Sequence, residues 1–187
     1  MSASYPLSRC SLKGNDWRGL LVNKMKNNFM YDDEDNVVVY VDGACRGNGQ
    51  SWNKRKAGIG VWFGWQHSMN ASEALPGRQT NIRAEIWAAK RSVEIAEYNG
   101  IYNLRIFTDC RFVIDAINCY IYDWRRNGWW TKNNYPVISR DELEALDEAI
   151  NSMDVVEWSH VYGHSGNKGN EQAHRLATLA ATRKKST

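Results

Sequence analysis

The run Val37-Val38-Val39-Tyr40-Val41 constrains the fold of this chain more than any other feature. Five consecutive β-branched or aromatic residues, with no polar alternation, read as a central strand buried on both faces. Asp42-Gly43 follows the run and predicts the strand's end. A second strand is expected over 58–63, where Ile59, Val61 and Phe63 alternate, and a third from about Met69 to Leu75, ahead of the Pro76-Gly77 turn. These three strands predict a meander.

Helical spacing takes over next. Ile82, Ile86, Ala89, Val93 and Ala96 recur at steps of four and three, so residues 81–98 read as an amphipathic helix capped by Thr80 or Asn81 and closed by Gly100. Residues 104–108 form a short apolar strand that delivers Asp109 at its end, and 112–117 continue as helix. A Trp-rich basic stretch runs from Trp124 to Lys132. A helix capped near Ser139 then sets Leu143, Leu146 and Ile150 on one face. The last strand is expected over 155–161 and the last helix over 171–182, with Ala173, Leu176, Ala177 and Ala180 inward. The length of 187 residues, 43% of them hydrophobic, suits one domain with one sizeable core.

Residues 1–36 show no clear element. Arg9, Lys13, Arg18, Lys24 and Lys26 face one acid, Asp16, before the acidic patch Asp32 to Asp35. A transit-peptide-like leader, a disordered tail and a short docked segment all fit that composition. The expected organisation is a poorly structured extension over 1–36, one domain over 37–182 and a basic tail over 183–187. Cys10, Cys45, Cys110 and Cys119 have no CxxC spacing, and no apolar stretch is long enough for a membrane span. The simplest reading is a reduced, intracellular protein in which Cys45 and Cys110 are inert buried thiols.

The net charge of +3 announces no nucleic-acid partner, but the distribution of charge is informative. Lys54, Arg55 and Lys56 form one cluster and Arg125, Arg126 and Lys132 another, interleaved with Trp52, Trp124, Trp129 and Trp130. Charge runs are usually solvated faces. Cations mixed with flat rings also suit phosphates and bases.

Asp42, Glu85 and Asp109 fall at or near element ends. Taken singly, each reads as a turn, cap or helix-dipole residue. Converging at one sheet edge, three carboxylates would repel one another and need cations, and their hard oxygens suit Mg²⁺ or Mn²⁺. Two such ions can clamp a phosphodiester for in-line attack by water.

Four motifs then stand in order: Asp42-Gly43-Ala44-Cys45, the stretch from Gly77 to Glu85, Thr108-Asp109, and the stretch from Gly163 to Glu171. From about Val37 to Ala181 the chain resembles type 1 ribonuclease H. The resemblance implies an α/β ribonuclease H-like fold, a five-stranded mixed sheet flanked by helices, with the first three strands antiparallel. It implies an endonuclease that hydrolyses the RNA strand of an RNA/DNA hybrid with two Mg²⁺ ions, Mn²⁺ being the alternative or preferred metal, and leaves 5′-phosphomonoesters. Asp42, Glu85 and Asp109 would be metal ligands, with Asp42 bridging both ions. His164, on a Gly-bounded loop, would help product leave or shuttle a proton.

The chain departs from the family at His174, where a fourth catalytic Asp is usual. His174 offers a neutral nitrogen as metal ligand and catalytic group, which favours Mn²⁺ over Mg²⁺ at that position. Two expectations follow: an active hybrid-specific nuclease that tolerates His174, or an impaired or dead hybrid-binding domain. Asn48 and Asn81 match positions that read the minor groove through 2′-hydroxyls, with Ile82 in place of a usual Gln. Arg78, Thr80 and Ser139 match a pocket for a DNA phosphate, Ser139 replacing an Asn. Phe112, Tyr120 and Trp124 match the DNA channel, Tyr120 replacing a Trp; core packing is the plainer reading of Phe112. Residues before Val37 do not resemble the small hybrid-binding domain that often precedes the catalytic one in eukaryotic members. A monomer is expected, with no membrane partner and with nucleus, mitochondrion or cytoplasm as its location.

Overall fold

A computed structural model of the chain describes residues 24–26, 28–51 and 54–183. Its strands are β1 (Lys24–Lys26), β2 (Phe29–Tyr31), β3 (Val37–Arg46), β4 (Lys56–Trp62), β5 (Ala71–Ala74), β6 (Asn103–Thr108) and β7 (Val155–His160). The helices are α1 (Asn81–Tyr98), α2 (Arg111–Asp115), α3 (Ile121–Asn127), α4 (Arg140–Asn151) and α5 (Lys168–Thr182).

β3 is the centre of one mixed sheet. It pairs antiparallel with β4 from Tyr40↔Trp62 to Arg46↔Lys56, and parallel with β6 from Val37↔Leu104 to Tyr40↔Phe107. β5 lies antiparallel to β4, and β7 parallel to β6. The pleat sends alternate β3 residues to opposite layers. Val37, Val39 and Val41 join Ile59, Ile86, Ala89 and Val93 in the core under α1, against which α4 packs. Val38 and Tyr40 join Phe107 and Ala173 on the side of α5. The five expected strands, β3 to β7, therefore form the body of the sheet with helices on both faces.

Three parts differ from the sequence expectation. β3 does not end at Gly43 but runs on to Arg46, because β4 continues to pair with it after its pairing with β6 has stopped at Tyr40↔Phe107. Asp42 thus sits beside the carboxyl end of β6 while its own strand goes on. The helix expected over 112–117 continues through a π-helical turn, Ala116–Tyr120, into α3, and Gly128 closes it at φ 78°. The Trp-rich stretch is therefore helical up to Asn127.

The third difference is a hairpin, β1–β2, in the region without a legible element, which extends the sheet to seven strands. It joins β3 at Tyr31↔Val37. Asp32 anchors it: buried, its carboxylate accepts from the Asn36 backbone N–H (2.8 Å), the Asn36 amide (3.0 Å) and the Arg105 guanidinium. Arg105, also buried, bonds Glu157 on β7 as well. Cys45 and Cys110 are free thiols, whereas Cys119 is disulfide-bonded, so the expectation of uniformly reduced cysteines does not hold there. Among the described residues no helix is long and apolar enough to cross a membrane. Of the sequence assignments, those on residues 1–23, Cys10 included, Trp52, and all of the 183–187 basic tail but Arg183 lie outside the described residues.

Candidate active site

β3, α1 and the end of β6 bring Asp42, Glu85 and Asp109 together with ligand atoms within 4.8 Å of one another. Gly43 makes this approach feasible. A Cβ there would stand 2.3 Å from the Glu85 backbone nitrogen, so only glycine lets α1 close on the strand. The Gly43 N–H then donates to Glu85 Oε2 (3.0 Å), and the Asn81 amide donates to Oε1 (3.3 Å).

The electrostatics follow from burial. Asp42 is 3% exposed and Glu85 5%. Desolvation raises the Asp42 carboxyl to about 7; His174 opposes the rise and Asp109 adds to it. Burial, then Asp42 and Asp109, drives Glu85 well above the usual carboxylate range, against the Gly43 and Asn81 hydrogen bonds. Asp42 and Glu85, which resist ionising, form with Asp109 a charge-poor oxygen cage. Hard divalent cations suit that donor set, since a cation restores the charged forms.

α5 closes the far side of the cage. Asn170 and His174, one turn apart, share the face that meets it. His174 Nδ1 lies 3.1 Å from Asp42 Oδ2. The Asn170 amide donates to Asp109 Oδ2 at 3.0 Å, and its Oδ1 is buried without a partner. Asn170 falls within the last motif, but its position in the sequence signals no role. An Asn in the first turn of a helix looks like local capping until tertiary packing is known. Asn167 fills the capping role instead, accepting from the Asn170 N–H at 3.1 Å. Gly163 presses on Asp109, where a Cβ would come within 2.8 Å of Oδ2, and His160 Nε2 lies 3.3 Å from the Asp109 carbonyl. Glu171 is exposed and does not line the cleft, so it supplies no replacement carboxylate. His164 is exposed at φ 55°, its ring 5.3 Å from that of His174 and nearly perpendicular to it. A cleft of about 600 Å³ opens over these groups, bordered by Arg46, Asn81 and Thr178.

The other sequence-predicted residues fall into separate places. Asn48 lies on an exposed turn beyond β3 and is not among the cleft-lining residues. Ile82 packs against the main core. Thr80 caps α1, its Oγ1 accepting from the Arg83 N–H at 3.3 Å. Arg83 bonds Glu142 in the first turn of α4 (2.5 Å) and also donates to the Arg78 carbonyl. The Arg78–Thr80 loop and Ser139, which precedes α4, thereby come to the same end of the α1–α4 pair. Ser139 is left-handed at φ 71°, and its buried Oγ has no partner. Trp124 is the hub of an aromatic group, with ring centroids 6.5 Å from Phe112, 5.5 Å from Tyr120 and 6.0 Å from Trp129. Phe112 packs on the core, whereas Tyr120 is 42% exposed. Arg125 and Arg126 are ion-paired to Asp147 and Asp123.

The chain matches the family described as RNase H over residues 34–182. It is 43% identical to Ribonuclease H1 of Mus musculus over 156 residues, which are 83% of this chain and 53% of that protein. It is 37% identical to Ribonuclease H of Ruthia magnifica subsp. Calyptogena magnifica, over 77% of this chain and 94% of that one. The chain thus spans about half the length of the first of these relatives and nearly all of the second. The crystal structure of LC9-RNase H1, described as a type 1 RNase H with the type 2 active-site motif, superimposes with a TM-score of 0.62 at 27% identity, covering 77% of this chain and 71% of that one.

Proposed function

Because the chain belongs to the type 1 ribonuclease H family, we propose that it is a divalent-metal-dependent endonuclease that hydrolyses the RNA strand of RNA/DNA hybrids. The observation that carries the proposal is the convergence of Asp42, Glu85 and Asp109 at the base of an open cleft. These three would hold two Mg²⁺ or Mn²⁺ ions, which when bound neutralise the scissile phosphate and lower the pKa of an attacking water.

The chain's own groups prepare that arrangement. Gly43 and Asn81 fix the two oxygens of Glu85, and Asn170 fixes one oxygen of Asp109. The water oxygen bonds to phosphorus, the bond to the 3′ oxygen breaks, and the RNA is left with a 5′-phosphate and a 3′-hydroxyl. His164, exposed at the cleft rim, would carry a proton on a ring nitrogen to or from the departing strand. His174 supplies one neutral nitrogen where a carboxylate would add charge, so binding on that side is weaker for Mg²⁺ than for Mn²⁺.

Asn48 and Asn81 are proposed to meet 2′-hydroxyls. Arg78, Thr80 and Ser139, gathered at one end of the α1–α4 pair, are proposed to take a DNA phosphate, and Tyr120 and Trp124 to offer ring faces to the DNA strand. A monomer is proposed as the working unit.

The test is cleavage of a labelled RNA/DNA hybrid beside single-stranded RNA, double-stranded RNA and DNA duplex, in Mg²⁺ and in Mn²⁺, with His174→Asp in parallel. Cleavage of the hybrid's RNA alone, faster in Mn²⁺ and raised in Mg²⁺ by the variant, is expected. Hybrid binding without cleavage in either metal would favour the other reading, a binding domain whose fourth carboxylate is gone.

A further inference from the structure

We infer that Asp42, His164 and His174 form an inhibitory Zn²⁺ site created by the imidazole at position 174. Asp42 and His174 are in hydrogen-bond contact and the His164 ring stands edge-on to that of His174, so an inward turn of His164 would bring the three groups to the separations of ligands that share one ion. Two ligand atoms about 2.1 Å from a tetrahedral Zn²⁺ lie roughly 3.1–3.4 Å apart, and two imidazoles on it have centroids about 5 Å apart. His174 Nδ1 and Asp42 Oδ2 are separated by 3.1 Å, and the His164 and His174 ring centroids by 5.3 Å.

Two imidazoles and a carboxylate with a solvent-open fourth position are a donor set that suits zinc. Mg²⁺ prefers oxygen and an octahedral shell, and first-row affinities place Zn²⁺ well above Mn²⁺ for nitrogen ligands. Among the described residues only the three acids already converge within 4.8 Å, so His164 joins by turning inward. Its position permits this: the side chain is exposed, and Gly163 and Gly166 flank its loop. Zinc held there would occupy the Asp42 oxygen and the His174 nitrogen that face each other in the cage. It also ties down His164. A carboxylate at position 174 would leave one imidazole in the set instead of two.

Zinc binding itself needs no nuclease activity; only the inhibitory consequence rests on the proposed function. The experiment is calorimetric titration of Zn²⁺ into the metal-free chain, with Co²⁺ visible absorption as the report of four-coordinate nitrogen ligation. Parent, His164→Ala and His174→Ala are compared. Both side chains are solvent-facing, so the variants should fold, and thermal melts check this. The expected result is one tight Zn²⁺ per parent chain, at least tenfold weaker binding in each variant, loss of the cobalt bands in each, and an unchanged Mn²⁺-induced rise in melting temperature in His164→Ala. Parent-like Zn²⁺ affinity in His164→Ala would mean that the acids alone hold the ion, and would overturn the inference. Hybrid cleavage in Mg²⁺ then reads the consequence: micromolar Zn²⁺ should inhibit the parent, reversibly with a chelator, and His164→Ala less in proportion to its own rate. Tight zinc binding without such inhibition overturns the inhibitory role. Failure of the parent to cleave in any metal counts against the proposed function and leaves the binding comparison intact.

Discussion

Asp42 and Glu85 set the pH behaviour of the metal-free protein. The Asp42 carboxyl titrates near 3.8 when unperturbed and at about 7 in the fold, chiefly through burial. The folded chain therefore keeps a proton that the unfolded chain releases, and this group's contribution to stability falls as pH rises from about 4 to about 7. Glu85 is displaced in the same direction. Melting temperature of the metal-free protein should drop between pH 5 and pH 7.5, less so in Asp42→Asn. Added Mn²⁺ should raise it more at pH 7.5 than at pH 5. A second prediction concerns Asn170, whose amide is the hydrogen-bond donor to Asp109 Oδ2. Losing a hydrogen bond to a charged acceptor costs about 1.5–3 kcal/mol, so Asn170→Ala should weaken divalent-ion affinity by roughly tenfold or more, measured by calorimetry. The three acids were legible because each stands in a recognisable motif. Asn170 was not, because its role depends on how α5 docks against β6, and sequence spacing carries no information about that distance.

At the scale of elements, glycines decide how closely helices approach the sheet. On the α1 face the close contact is at Gly43; on the α5 face Gly58 and Gly60 do the same work. A Cβ at Gly60 would stand 2.0 Å from the Ala173 carbonyl oxygen, and one at Gly58 2.5 Å from that of Ala177. Backbone on both sides leaves little room to yield. Gly60→Ala should push α5 outward, destabilise the protein by about 3 kcal/mol or more, and weaken metal binding by moving Asn170 and His174. His174→Ala, by contrast, should alter metal binding with little loss of stability, and urea denaturation of the two variants separates these effects. α1 was legible over its full length because its apolar residues keep helical spacing and Thr80 caps it. The extent of β3 was not. Asp42-Gly43 looks like a turn locally, and only pairing with β4 carries the strand to Arg46. Nor could the π-helical turn be read, since Ala116 to Tyr120 differ in no residue type from an ordinary helix.

For the whole molecule, the scaffold and the cage are held by different charges. The cage concentrates acids in the middle of β3 and beside the carboxyl end of β6. The hairpin end holds a buried cation, Arg105, between Asp32 and Glu157, with Glu34 at 3.6 Å. Burial alone would raise the Asp32 carboxyl, but hydrogen bonds from Asn36 and Arg105 hold it below the usual range. The hairpin was illegible in sequence because its acids read as a solvated patch, and the cation that pairs with Asp32, Arg105 on β6, lies 73 residues away. Stranding a buried charge by removing its partner costs about 3–5 kcal/mol, far more than an exposed pair contributes. Arg105→Met should therefore lower unfolding stability by that order and shift the urea midpoint, with the hairpin first to lose amide-exchange protection. Asp32, freed of Arg105, should rise in pKa, so the loss should shrink as pH falls below about 4, where the unpaired carboxyl is neutral in the folded and unfolded chains alike. No contact of Arg105 reaches Asp42, Glu85 or Asp109, so Mn²⁺ affinity at 25 °C should stay within twofold of the parent value. A large drop in metal affinity in Arg105→Met would mean that the hairpin end and the cage move as one unit.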